Sequence, residues 1–308
     1  MNQPILNKKS LIWFLAIAFL LAWTLFLLPL VGGAPGSPSW QKISLFAWMA
    51  AMWAPGIAAL LVTRFIEKKP LSSLNLRHLG PKRIYIWAWL LPLFLTVAAG
   101  LLTWIFGVGK LDLEFTAIRQ AMSTASGPQI PPLVVIIIQI AIALTFGPLF
   151  NTLFALGEEL GWRGYLLVRL EPLGQLRAIG LSGVIWGIWH MPVILQGHNY
   201  PKHPIPGVFM MIVFCVLFGA ILSWFYLRSR SPWAPALGHG SQNAVAGLPI
   251  LFMPQVDLAY GGTLTSLIGW IPLVLFVGWL LWSGRLPVHE TPPGEIQTEF
   301  HPEGEAIG

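Results

Sequence analysis

Apolar residues in this chain come in long unbroken runs. They do not show the period-two alternation of half-buried strands or the 3.6-residue stripe of soluble amphipathic helices. Eight runs lie near the ~20 residues with which a helix crosses ~30 Å of hydrocarbon. They cover roughly 11–31, 44–66, 84–107, 133–157, 179–197, 206–227, 232–252 and 264–283. The pattern predicts an all-α, polytopic transmembrane helical bundle of about eight spans. The seventh run contains Pro235, Gly238, Gly240, Gly247 and Pro249 and is the least apolar. It is expected to form an irregular helix shielded from lipid by its neighbours. Gly147-Pro148 predicts a kink in the fourth run.

Composition agrees with this plan. The chain is 56% hydrophobic and 10% charged, with a mean hydropathy of +0.70, outside the range of soluble domains. Its 16 tryptophans suit the two interfacial belts. The one cysteine, Cys215, lies in an apolar run, which leaves no intramolecular disulfide and no cysteine-based metal site. The net charge of +6 records topology and requires no nucleic acid. With Lys8 and Lys9 inside, the alternating loops put 14 of the 18 basic residues inside and 4 (Lys42, Lys110, Arg119, Lys202) outside. That asymmetry places both termini in the cytoplasm. The first run is too long for the apolar core of a signal peptide and reads as a span.

The expected organisation is three N-terminal spans with their loops in 1–132, a polar-bearing core in 133–252, a last span in 253–285, and a disordered acidic tail in 286–308. Glu158 and Glu159 are expected at the cytoplasmic end of span four. The segment from Gly164 to Arg177, amphipathic in part, is expected to lie along the inner interface.

Three polar constellations interrupt the core. Gly157-Glu158-Glu159-Leu160-Gly161-Trp162-Arg163 places two carboxylates where charge is costly to insert. On a helix Glu159 and Arg163 share a face, acid first. Glu158 points about 100° away, free to face a cavity as a general base or acid. The bland reading is a helix end with a surface ion pair. Trp186…His190 puts a histidine about 17 Å into span five. A histidine there is a functional candidate by default, or else one bonded to a neighbouring helix carbonyl. His239…Asn243, again i and i+4, offers two donors pointing one way, as an oxyanion site needs. The bland alternative is a polar helix–helix contact. His198, Asn199 and His203 read as solvent-facing residues of an outer loop. His78, His289 and His301 fall in inner loops or the tail, and Arg169, Glu171 and Arg177 read as interfacial.

Glu158-Glu159…Arg163, Trp186…His190 and His239…Asn243 follow one another on successive apolar segments. In this the chain resembles the CPBP intramembrane proteases, the group of type II CAAX prenyl proteases and bacteriocin-processing or immunity proteins. One departure is Trp186, where phenylalanine is more usual. The resemblance implies that Glu158 and His190 activate a water, that His239 and Asn243 hold the oxyanion, and that Glu159, Arg163 and Trp186 support them. The sequence lacks the His-Glu-x-x-His helix of zincins. Glu158, His190 and His239 could still supply three zinc ligands, although the preferred reading requires no cofactor. The resulting expectation is an intramembrane endopeptidase of a bacterial plasma membrane, with its site reached from the cytoplasmic half of the bilayer. Its partners would be membrane-associated proteins or peptides and the lipid bilayer, with no nucleic acid. The alternatives are a non-proteolytic scaffold or self-immunity protein of the same fold, and a transporter with a His–Glu proton relay.

Overall fold

The computed structural model describes residues 6–123 and 130–288. The acidic stretch 289–308, with His289 and His301, lies outside the described residues. The described chain is helical, without strands. Its helices are α1 (Lys8–Leu27), α2 (Pro38–Ala51), α3 (Ala54–Leu61), α4 (Arg83–Ile105), α5 (Thr116–Ser123), α6 (Pro132–Leu144) and α7 (Phe146–Gly161). They continue with α8 (Val168–Leu170), α9 (Gln175–Trp189), α10 (Met191–Leu195), α11 (Pro204–Ser229), α12 (Trp233–Val245) and α13 (Trp270–Trp282). Among the described residues, four helical stretches are long and apolar enough to cross a membrane: Lys8–Gly32, Pro38–Ile66, Arg83–Ile105 and Pro204–Ser229. The bent pair from Pro132 to Leu173 makes a fifth if taken as one span.

The other three expected spans are shorter than their apolar runs. α9 has 15 residues, and α12 and α13 have 13 each. Local chemistry sets these lengths. Gly174, at φ 92°, separates α9 from the turn before it. Met191-Pro192 restarts the chain as the short α10. α12 stops at Val245, before Gly247 and Pro249. Residues 252–269 form turns that hold α13 back to Trp270.

The kink predicted at Gly147-Pro148 falls two residues earlier. Thr145 leaves helical geometry at φ −119° and ψ −82°, and the two halves diverge by 46°. Pro148 has no N–H for the Leu144 carbonyl four residues back. The indole of Trp89 donates to that carbonyl instead, at 3.0 Å. The helix does not end after the glutamate pair, as expected. It continues through a π-helical turn (Trp162–Leu167) and α8 to Leu173. Gly164 to Leu167 are buried, so this part of the chain is not an interfacial segment. The physical reason is the aromatic packing of this turn. Phe14 stacks on Tyr165 at 4.7 Å and meets Trp162 edge-on at 5.8 Å.

α12 runs antiparallel along α7 in close contact. A Cβ on Gly240 would stand 2.5 Å from the Thr152 amide nitrogen, so only glycine lets the two backbones approach this far.

The bundle has two distinct ends. At one, Glu67 accepts hydrogen bonds from Tyr165 (2.8 Å) and Arg169 (2.7 Å). Trp233 donates to the Leu76 carbonyl at 2.9 Å, and Arg230 approaches Glu171 at 3.4 Å. Arg169, expected at lipid phosphates, is turned inward to Glu67. At the other end, Trp40 donates to Gln196 (3.0 Å), which donates to the Phe26 carbonyl (2.9 Å). There Tyr200 donates to the Thr265 carbonyl at 2.8 Å. His203, expected in solvent, meets Asp257 at 3.1 Å.

Burial pushes the Glu67 carboxyl up. The hydrogen bonds from Arg169 and Tyr165 and the charges of Arg169 and Lys69 outweigh that and hold it below its ordinary value. Stability from a depressed carboxylate is present at neutral pH and is lost as pH falls through the folded-state value. The Glu67→Gln variant should therefore be less stable at pH 7, by about 1–3 kcal/mol. Its deficit against wild type should shrink as pH falls below the ordinary carboxylate range. Melting of both proteins in detergent across pH checks this, and a deficit independent of pH would contradict it.

Candidate active site

Glu158 and Glu159 lie inside the continuous helix that runs from Phe146 to Leu173, 2% and 0% exposed. Their divergence on the helix gives them different neighbours. Glu159 Oε1 accepts from Arg163 Nη1 at 2.8 Å and from His239 Nδ1 at 2.9 Å. Its other oxygen, Oε2, has no protein partner. Glu158 Oε2 accepts from the indole of Trp186 at 2.7 Å. Arg163 is 1% exposed, and its guanidinium lies 4.4 Å from the centre of the Trp186 ring. Gly219 on α11 makes room for it: a Cβ there would stand 3.0 Å from Arg163 Nη2. Such a pair is strongly bonded, but each charge depends on the other.

Trp186 is the hub of the arrangement. Beyond its bond to Glu158 and its contact with Arg163, its ring meets His239 at 5.4 Å and His190 at 5.6 Å. Phenylalanine, the more usual residue of the resemblance, could make the ring contacts but has no N–H to donate.

His190 caps α9, one turn beyond Trp186. Its Nδ1 lies 2.9 Å from the Trp186 carbonyl. A carbonyl only accepts, so Nδ1 carries the proton and Nε2 keeps its lone pair. Cys215 Sγ lies 3.9 Å from the same Nδ1. In His239 the bond to Glu159 likewise places a proton on Nδ1 and turns Nε2 away from the ion pair.

Glu158, His190, His239 and Asn243 all line one cavity of about 490 Å³. Glu158 and His239 are buried, His190 is half-buried, and Asn243 is exposed. Glu159 and Arg163 do not line the cavity and sit behind its wall. The rest of the wall is mostly apolar, with Phe26, Trp48, Met52, Met211 and Phe214 among its residues.

Several of these wall residues were not singled out from the sequence. Phe26, Ser44, Trp48 and Met52 come from the first two expected spans, which carry no polar motif. His198, exposed in the loop after α10 as expected, also lines the cavity, with its ring against Trp48 at 5.2 Å. Gln242 lines the cavity too, and Thr96 reaches its carbonyl oxygen at 3.3 Å. A polar residue beside the His239…Asn243 pair was the one available signal for it.

Residues 135–245 match the family of type II CAAX prenyl endopeptidases described as Rce1-like. The match covers about a third of the chain. A curated relative, CAAX prenyl protease 2 of Methanococcus maripaludis, is 32% identical over 82 residues. That likeness covers 24% of this chain and 29% of the relative, so the chain aligns with less than a third of it. The matched stretch starts within α6 and ends at the last residue of α12. It therefore contains all seven residues of the three motifs. The walls from α1 and α2 lie outside it.

Among the described residues no three His, Cys, Asp or Glu side chains are placed to hold a metal ion together. Glu158, His190 and His239 thus share a cavity without forming the three-ligand set that spacing alone allowed. The hydrogen bonds just described aim them separately.

Removing one partner of the buried ion pair should be costly. Arg163→Met should lower stability by about 3–5 kcal/mol, and adding Glu159→Gln should recover much of the loss. Thermal denaturation of the purified variants in detergent measures both. Equal stability of the single and double variants would contradict the pairing.

Proposed function

We propose that this chain is an intramembrane endopeptidase of a bacterial plasma membrane that hydrolyses peptide bonds in membrane-associated proteins or peptides. In this reading it crosses the bilayer eight times with both termini in the cytoplasm, α9 to α10, α12 and α13 being short crossings packed among longer ones. The observation that carries the reading is the convergence of Glu158, His190, His239 and Asn243 on one cavity within an Rce1-like core.

The chemistry follows from which atoms face the cavity. A water held between the free carboxylate oxygen of Glu158 and Nε2 of His190 gives a proton to Glu158 as its oxygen bonds to the substrate carbonyl carbon. The carbonyl π-pair moves onto oxygen. Asn243 Nδ2 and His239 Nε2, with that ring doubly protonated, donate to the resulting oxyanion. Together the Glu158 and Glu159 carboxylates balance the charges of Arg163 and the His239 ring, Glu159 through its bonds to Arg163 and to His239 Nδ1. The tetrahedral intermediate then collapses. The C–N bond breaks, its electron pair stays on nitrogen, and Glu158 returns the proton to the leaving amine. Trp186 fixes the orientation of Glu158, and the apolar wall excludes bulk water and receives apolar side chains beside the scissile bond.

Replacing Glu158 with Gln keeps the Trp186 bond and removes the base. Cleavage should fall at least 10²–10⁴-fold with melting behaviour close to wild type. Trp186→Phe should keep the ring contacts and lose one charge-assisted bond, about 1.5–3 kcal/mol. It should reduce kcat roughly 10–100-fold with a smaller change in KM. Proteoliposome cleavage assays on both variants test this, and full activity in a folded Glu158→Gln protein would overturn the reading.

A further inference from the structure

The cavity opens at one end of the bundle, and most of the basic residues sit at the other. Its wall takes residues from the second half of α1 (Phe26), the first half of α2 (Gln41, Ser44, Leu45), the loop after α10 (His198) and the turns before α13 (Thr265). These belong to the end where Trp40, Gln196 and the Phe26 carbonyl are joined and where Tyr200 meets Thr265. At that end lie four basic residues, Lys42, Lys110, Arg119 and Lys202, the last 3.9 Å from Asp257.

Below the cavity floor the chain is closed. Trp162, Arg163, Tyr165, Leu166 and Leu167 are each at most 1% exposed. Glu67, Tyr165 and Arg169 are tied together beneath them. Beyond that layer come Lys8, Lys9, Arg64, Lys68, Lys69, Arg77, Lys82, Arg83, Arg177, Arg228 and Arg285. A bundle inserts with its basic end at the cytoplasm. Glu158 is therefore sealed from the cytoplasmic side and open towards the other.

We infer that the catalytic cavity is loaded from the extracytoplasmic face, so that its substrates are exported or membrane-anchored polypeptides whose scissile segment lies outside the cytoplasm. The inference rests on the proteolytic reading for what happens in the cavity, but not for the direction of access. It reverses the access from the cytoplasmic half expected from the position of the glutamate pair in its apolar run.

Thiol labelling in intact cells tests the direction independently of activity. In a Cys215→Ala background, Gln41→Cys and Leu45→Cys place exposed thiols at the cavity mouth. Ser72→Cys places one at the basic end. A charged, membrane-impermeant maleimide should label the two mouth positions in whole cells, and Ser72→Cys only after the membrane is permeabilised. Labelling of all three after detergent and denaturation confirms that each protein is present. Labelling of Ser72→Cys but not of the mouth in intact cells would overturn the inference, as would labelling of both ends in intact cells. Mouth labelling together with an inactive site would refute proteolysis and leave the access direction standing. Cleavage lost on Glu158→Gln together with Ser72→Cys labelling would do the reverse.

Discussion

One carboxylate oxygen, Oε1 of Glu159, holds the centre of this molecule together. It sits inside a helix where an unpaired charge would be prohibitive, and it accepts from Arg163 on its own helix and His239 on another. The first bond sets the face of α7 that turns inward, and the second fixes the register between α7 and α12. With that register set, Glu158 is directed to the cavity and against Trp186. The adjacent glutamates thus divide into one that ties two helices together and one that faces the cavity. The i, i+4 spacing to Arg163 decides which is which.

Packing serves that ion pair throughout. Gly240 lets α12 approach α7 to backbone contact, and Gly219 leaves space for the guanidinium. Trp186 then joins the parts: its face receives Arg163, its N–H holds Glu158, and its carbonyl fixes the tautomer of His190. A bilayer offers little hydrophobic drive between helices. Close backbone approach and a few satisfied polar contacts therefore carry much of the specificity of this core.

The site was more legible in the sequence than the fold. Charged and imidazole side chains stand out against apolar runs, and their i, i+4 spacings give directions that need no tertiary knowledge. Glu159–Arg163 and the helical spacing of Trp186 and His190 could be read in this way. Span lengths could not, because hydropathy does not register where a helix stops inside an apolar stretch. Thr145, Met191-Pro192 and Gly247 break helices where the run continues. The expected end of the helix at Glu159 failed for the opposite reason. Arg163 pairs with Glu159 as its spacing predicted, but Arg169 is turned inward by Glu67, a partner too distant in sequence for spacing to show. The cavity walls from α1 and α2 left no signal, since an apolar residue facing a cavity looks like one facing lipid.

The central claim is that Glu158 makes this bundle a peptide-bond hydrolase. Its most direct test compares the protein N-termini present in membranes of cells producing the wild type with those in cells producing Glu158→Ala at equal level. The account predicts new N-termini that appear with the wild type and are absent with the variant, each next to a membrane-associated segment. Identical sets of N-termini, in cells that show a phenotype dependent on the protein, would contradict it.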